Sequence, residues 1–532
     1  MAYDGEIWGY DNIKMNVNGN LLYGGSANVV NVNVAEGAAL FGGEFTVNDM
    51  SDTMADGFSD DTTGKFYNHG TIGNLKITGN LVSDGILAGG IEVSGNANVE
   101  GSTAVSADLL PDETTTVLTA NSITGNLKNS STAEKISGLM SAVGTVSDNQ
   151  VLVTAKAENN LGELTSEQNQ SFSALNNMNA ALQNDSRKSE LRTIYSLDGE
   201  NAKNALDEIR NSDAAYMMSA AQRSTVANKI ISDRLLTAFS IPDDEIIENK
   251  VTDSENNSVL GASSKAMPVD NNFWIKFTKN WGKLKEGAKY HGQAISGGYD
   301  RKFGENWRAG IFVSYDATSL DANKSSGNIY DTRFGIYGGF HKNNDDAFIY
   351  IDGGKIRNKF QRNISSLGLS TDAKYNSNIF EIGGEYKRNL TPDKNYSISP
   401  YINLQYSHLN QNSYSEEGAG IFNQHVDSKS NNYFAGKLGI EYKRNFKKGN
   451  YAARIGIKHA FTGADPELNF NYEGDANNSY TLKNNQDKTH FILSISGENE
   501  FANGWVLGGD VQLQKGSHDK DVSASVMLRK VW

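Results

Sequence analysis

The chain closes on WVLGGDVQLQKGSHDKDVSASVMLRKVW (residues 505–532), and the reading of this stretch decides the fold. Side chains alternate between the two faces of a strand. Leu507, Gly509, Val511 and Leu513 therefore share one face, and Asp510, Gln512 and Gln514 share the other. After a polar turn, Val522, Ala524, Val526 and Leu528 repeat the apolar face up to Trp532. Upstream, Phe491, Leu493 and Ile495 oppose Ser494, Ser496 and Glu498, and Ile398, Ile402, Leu404 and Tyr406 oppose Ser399, Asn403, Gln405 and Ser407. A sheet apolar on one face and polar on the other can close into a barrel with its apolar face in lipid.

Working outward, the pattern predicts twelve antiparallel strands, starting near Phe273, Gly292, Asn306, Asn328, Ala347, Ala373, Tyr396, Asn431, Tyr451, Thr489, Gly504 and Asp519. Their connections alternate. Tight polar turns fall at 304–306, 343–346, 391–394, 447–450 and 502–504, and longer connections fall between them, notably 409–430 and 463–487. Membrane barrels have short periplasmic turns and longer extracellular loops. Both ends of the barrel are therefore expected on the periplasmic side, so upstream sequence reaches the surface only through the pore. Asp300, Arg308, Arg333, Glu381, Glu385, Asp510 and Arg529 fall opposite the apolar face and are expected to be lumen charges. On the lipid face each would cost about 2–4 kcal/mol near the midplane. Trp274, Trp281, Trp307, Trp505 and Trp532, with Tyr315, Tyr337, Phe348, Tyr350, Tyr406 and Tyr442, lie near strand ends and are expected to form an interfacial girdle.

Composition sets bounds. The chain has 532 residues, a net charge of -14, no cysteine and a mean hydropathy of -0.51. A negative mean is compatible with a barrel, whose polar lumen face cancels its lipid face. No run of eighteen apolar residues exists to make a membrane-spanning helix. The acidic balance argues against nucleic acid as a partner. Without cysteine there are no disulfides and no thiolate metal sites. The opening MAYDGEIWGYDNIK has no basic stretch followed by an apolar one, so it is not a signal peptide. The expectation is a C-terminal piece of a longer protein, or a mis-started one.

Residues 1–160 are rich in Gly, Asn and Val and loosely repetitive: GNLLYGGSANVVNVNVAEGAALFGGEF is echoed by GNLKITGNLVSDGILAGGIEVSGNANVEG. Short β-branched runs with Gly and Asn at corners suit a right-handed parallel β-helix stalk. Residues 161–268 read as a helical linker. Phe172, Leu175, Met178 and Leu182 recur at helical spacing, as do Ala202, Ala205, Leu206 and Ile209. The last helix, about 213–238, is slimmed by Ala214, Ala215, Ser219, Ala220, Ala221, Ser224 and Ala227, which suits a helix threaded into the pore. Residues 269–532 are the barrel. The fold class is thus all-β with a helical linker: a parallel β-helix stalk, then a twelve-stranded transmembrane barrel holding a helix.

Four segments carry a family resemblance. GTIGNLKITGNLVSDGILAGG (70–90) is similar to stalk rungs, and LLPDETTTVLTANSITG (109–125) to the end of a passenger. LTSEQNQSFSALNNMNAAL (164–182), with LDGENAKNALDEIRNSDAAYMMSAAQRSTVANKIISDRL (197–235), is similar to a linker entering a barrel. FWIKFTKNWGKLKEGAKYHGQAISGGYDRKFGENWRAGIFVSY (273–315) is similar to the opening strands of a translocator. In this order they resemble the autotransporters of type V secretion, of the classical monomeric type, over essentially the whole chain. The resemblance implies an outer-membrane translocator that delivers or anchors its own N-terminal passenger at the cell surface. It implies outer-membrane lipid, the barrel assembly machinery and periplasmic chaperones as partners, and a monomeric barrel. Val522, Ala524, Val526, Leu528 and Trp532 match the family's terminal assembly signal, from which Lys530 departs. Some members cut their pore helix between adjacent asparagines; here only Asn228 stands between 213 and 238, so the passenger is expected to stay attached.

No catalytic chemistry is legible. The eight histidines are scattered without ligand spacing, and there is no nucleophile elbow or P-loop. Asp-rich DGFSDDTTG (56–64) lacks the regular ligands of a calcium loop and reads as an acidic loop between rungs. No cofactor or metal is expected, and an enzyme such as a subtilisin-like protease would have to lie upstream. Two other readings are a surface adhesin whose retained β-helix binds a host ligand, and a solute-conducting outer-membrane channel.

Overall fold

The computed structural model describes residues 2–8, 14–47, 64–104, 109–210, 214–223, 271–285, 287–391, 396–446 and 448–532, the side chains of Gln222, Arg223 and Ala502 apart. The acidic segment 56–63 lies outside them. The chain divides into two compact units, Met1–Arg210 and Asn211–Trp532. The helical segment expected between stalk and barrel is divided between them.

The first unit is a solenoid of three parallel sheets in which every third strand stacks on its predecessor. The sequence dictates this because inward apolar residues coincide in register from rung to rung. Ala27, Phe45, Ile77 and Val93 form one column. Val32, Phe66, Leu81 and Ala97 form a second, and Leu21, Leu40, Ile72 and Leu87 a third. Phe45 and Phe66 meet edge to face across the interior at 5.5 Å. At one corner Asn74 takes a left-handed φ of 53°, where asparagine costs less than most residues. Glycines also stack: a Cβ on Gly101 would meet the Gly85 carbonyl oxygen at 1.7 Å.

An antiparallel layer follows the last rungs. Thr114–Thr119 runs parallel to Ile91–Val93 on one side and antiparallel to Gln150–Ala157 on the other, which in turn pairs with Met140–Val146. This occupies a sheet edge that would otherwise be open to further pairing. Helices α1 (Ser166–Ala181), α2 (Arg192–Tyr195) and α3 (Gly199–Arg210) pack there. Thr165 and Gln168 form a capping box on α1. Leu175, Met178, Leu182, Ala202, Ala205, Leu206 and Ile209 are buried. Asn179 donates to the Pro111 carbonyl at 3.1 Å, and Ser137 to the Tyr195 carbonyl at 2.6 Å.

The second unit is a closed antiparallel barrel of twelve strands: Asn271–Lys283, Lys289–Phe303, Trp307–Asp321, Ser325–Lys342, Asp345–Ile364, Leu369–Arg388, Tyr396–Gln411, Lys429–Phe446, Gly449–Thr462, Thr489–Ala502, Trp505–Lys515 and Lys520–Val531. Each begins within four residues of its expected start. Strand one pairs with strand twelve from Asn272↔Val531 to Lys283↔Lys520, so no edge is left. The long connections, 412–428 and 463–488, both fall at the end expected for them, but 284–288, 322–324, 365–368 and 516–519 at that end are short.

Two further features depart from expectation. Trp274, Tyr337, Phe348 and Tyr350 are not girdle residues; they point inward and pack with Phe312 and Met527. Each lies on the opposite parity to its lipid-facing neighbours, such as Phe273, Ile336, Ile349 and Ile351, so strand position overrides aromatic identity. The long connections are also not open loops. Tyr414–Ser415, Gln424–Val426, Glu467–Tyr472 and Asp475–Lys483 build a four-stranded sheet of their own, with Ile421, Phe422, Val426, Leu468, Phe470 and Leu482 buried. Buried Arg362, near the tip of strand five, donates through Nε to Glu416 at 3.0 Å and through Nη2 to the Phe422 carbonyl at 2.9 Å, tying that sheet to the barrel.

The stacked columns predict that Phe45→Ala, in the full-length protein, destabilises the first unit by about 3–5 kcal/mol. Urea unfolding followed by circular dichroism should show its transition at lower denaturant. The folded barrel band on unheated gels should be unchanged.

Candidate functional site: the barrel lumen

The same alternation that sends apolar residues to lipid sends charges into the lumen, where their fate depends on partners. Asp300, Arg308, Arg333, Glu381, Glu385 and Arg529 are buried, and Asp510 is largely so. On strands one to four, Asp300 accepts from Arg308 at 2.6 Å, from Tyr337 at 2.6 Å and from Asn272 at 3.0 Å. Trp274 Nε1 donates to the same tyrosine oxygen at 2.9 Å, which accounts for an indole inside the barrel. Arg333 stands among Asp331 at 2.7 Å, Asp352 at 3.4 Å and Glu381 at 3.5 Å, with Tyr350 donating to Glu381 at 2.6 Å.

Two further clusters complete the ring. Arg454 bridges Glu385 at 2.8 Å and Glu441 at 2.6 Å, its guanidinium 4.7 Å from the Tyr401 ring centroid, and Lys387 adds a 2.9 Å bond to Glu441. Arg529 pairs with Glu498 at 2.7 Å, and Lys276 with Asp510 at 2.8 Å. Sequence reasoning had not named Lys276, Asp331, Asp352 or Lys387. Their parity relative to the lipid-facing residues was the available signal; which acid meets which base is a matter of neighbouring strands and register.

Helix α4 (Ala214–Arg223) belongs to this unit. Ala214, Ala215, Tyr216, Met217, Met218, Ser219, Ala220 and Ala221 are all buried, so the helix is covered on every side. It packs on strands four and seven and on Glu467–Tyr472 and Asp475–Lys483. The small residues permit this close approach, and the barrel reciprocates: a Cβ on Gly327 would lie 2.4 Å from Met217 Sδ. Asn484 donates to Ser219 Oγ at 3.0 Å. A cavity of about 30 Å³, lined by Ser219, Tyr433, Lys458, His490 and Asp521 among others, adjoins the contact. That is room for about one water. These partners are inward-facing or belong to the long connections, so α4 occupies the lumen at the long-loop end. Ser224, Ala227 and the rest of the segment to 238 lie outside the described residues.

The terminal strand presents Val522, Ala524, Val526 and Leu528 outward beside strand one. Backbone bonds between Trp532 and Asn271 complete the pairing, at 2.9 and 3.1 Å. Lys530 lies on the same outward face, its ammonium 5.6 Å from the Trp505 ring centroid and bonded to the Asn503 carbonyl. At the opposite end, Asp487 pins the 516–519 turn. Burial raises its pKa, but bonds from the His518 and Asp519 amides and the His518 ring outweigh this and hold it at about 2. Among the described residues no group of three or more His, Asp and Glu is placed to hold a metal ion. The lumen holds polypeptide and offers it polar partners.

The family described as Autotransporter beta-domain matches residues 273–512. Among solved structures, the chain is similar to the translocator domain of the autotransporter NalP from Neisseria meningitidis, at 15% identity and a TM-score of 0.44, covering 58% of this chain and 97% of that one. It is similar to the beta domain of the Bordetella autotransporter BrkA, at 12% identity and 0.40, covering 49% and 100%. It is also similar to the transport unit of AIDA-I from Escherichia coli, at 15% identity and 0.36, covering 52% and 93%. Curated proteins return no match.

The Arg454 cluster is the sharpest test of the lumen network. Arg454→Met leaves Glu385 and Glu441 short of a buried partner and should cost about 3–5 kcal/mol. The temperature at which the folded band converts to the unfolded one should fall. An unchanged temperature would show that water solvates these acids.

Proposed function

We propose, from the match of residues 273–512 to the autotransporter beta-domain family, how this chain works. It is an outer-membrane translocator: the barrel is embedded in the outer membrane, it is not catalytic, and the passenger upstream is exposed at the cell surface. In our reading residues 1–160 are the membrane-proximal stalk of the passenger, 161–268 are the linker, and the segment about 213–238 is the pore helix that remains after export.

The observation that carries this reading is α4 inside the lumen, held by Ser219, Met217 and the small faces of the helix. A chain that passed through its own pore leaves its trailing segment there. Asp300, Arg308, Arg333, Glu381, Glu385, Asp510 and Arg529 give the lumen a polar wall that polypeptide can cross. Val522, Ala524, Val526, Leu528 and Trp532 form the terminal strand that the barrel assembly machinery reads after delivery by periplasmic chaperones. The passenger stays attached, since the 213–238 segment has no Asn-Asn pair.

Protease shaving of intact cells tests the reading. Antibody against residues 1–150 should lose its signal on shaving without any breach of the outer membrane, while the barrel persists. Protection of those residues until the membrane is opened would mean that the stalk is periplasmic.

A further inference from the structure

The outer surface of the barrel carries like charges that the lumen network does not use. Lys289, Lys283, Lys520 and Lys515 stand on strands two, one, twelve and eleven, which are successive neighbours around the closure seam. Register makes each the direct cross-strand neighbour of the next: Lys283↔Lys289, Lys283↔Lys520 and Lys515↔Lys520. All four are exposed. Like charges directly opposite destabilise an antiparallel pair, and here that arrangement repeats three times in succession.

One carboxylate stands in register with four cations, so the row keeps a net positive charge on the described surface. None of the four lysines makes an ion pair among the described residues. Asp321, cross-strand to Lys289 at one end, is the carboxylate in register with the row; Lys515 at the other end faces Phe491. Glu286, between Lys283 and Lys289 in sequence, lies outside the described residues. Directly below the row, the next outward residues are His291, Trp281, Val522 and Leu513, three of them apolar. The ammonium of Lys279 lies 5.3 Å from the Trp281 ring centroid, adding a fifth cation just beneath.

This level is where lipid headgroups meet the barrel at its long-loop end. Four strands at about 4.8 Å spacing make the row roughly 14 Å long, more than one phosphate can span. We propose that the row is a binding site for an outer-leaflet lipid headgroup carrying two phosphates, which bridges strands one and twelve and clamps the seam. The inference rests on the barrel lying in the outer membrane with its long connections at the surface, and is independent of passenger export. Each lysine near such a surface contributes about fivefold in affinity.

The test uses the full chain purified in neutral detergent, with bisphosphorylated lipid A, monophosphorylated lipid A, phosphatidylethanolamine and inorganic phosphate as probes. Native mass spectrometry reads stoichiometry, and the heat-conversion temperature reads the clamp. Bisphosphorylated lipid A should bind at one per barrel and raise that temperature, with the monophosphorylated form weaker and inorganic phosphate ineffective. The K283Q/K520Q double variant should bind about 25-fold more weakly, while K342Q/K448Q, an equal charge change at the opposite end of the barrel, should bind as the parent does. The lipid-free heat conversion verifies that each variant folds, and K289Q/K515Q provides a second pair. Undiminished binding by both double variants, or equal stabilisation by inorganic phosphate or phosphatidylethanolamine, would overturn the proposal. Because binding is read in detergent, it can fail while surface display succeeds, and the reverse.

Discussion

In hydrocarbon there is no water to satisfy a backbone amide or carbonyl, so a sheet that enters lipid must close on itself. The antiparallel bonding between strands one and twelve meets that demand, from Asn272↔Val531 up to Lys283↔Lys520. Everything else in the second unit depends on this closure. Once the ring is shut, one face of every strand is committed to lipid and the other to an enclosed lumen. The apolar residues have somewhere to go, and the charges have somewhere they must be paired.

The enclosed lumen then sets a second condition. Carboxylates and guanidinium groups held close together in restricted water are tolerable when they face one another, and the clusters around Asp300, Arg333 and Arg454 do so across two to four strands. The same enclosure gives a slim helix a place to be covered on all sides. Alanine and serine on α4, with Gly327 on the wall, let backbone approach backbone where larger side chains would collide. Upstream, the solenoid meets a different version of the same problem: its apolar columns are satisfied rung by rung, and an antiparallel layer occupies the edge left by the last rungs.

Much of this was legible in the sequence because period-two alternation is a local signal. It marked twelve strands and their starts, and β-branched runs with Gly and Asn corners marked the stalk. What failed to show was non-local. Trp274 sits in the lumen because its parity places it there and Tyr337, on strand four, offers an acceptor for its indole; an aromatic near a strand end looks the same in sequence on either face. Leu468, Phe470 and Tyr472 alternate as a strand should, but their sheet joins two connections far apart in the chain, so each looked like part of a loop. The lumen charges could be assigned to a face from sequence, while partners such as Lys387 for Glu441 required the register of strands six and eight.

The central claim is that the chain's own helix occupies its barrel. Since the protein has no cysteine, a single engineered pair reports on it directly. Ser219→Cys combined with Asn484→Cys, positions joined by a 3.0 Å hydrogen bond, should form an intramolecular disulfide in the assembled outer-membrane protein, seen as a mobility shift that reductant removes. A folded, membrane-inserted barrel in which the two thiols stay free under oxidising conditions would contradict the account.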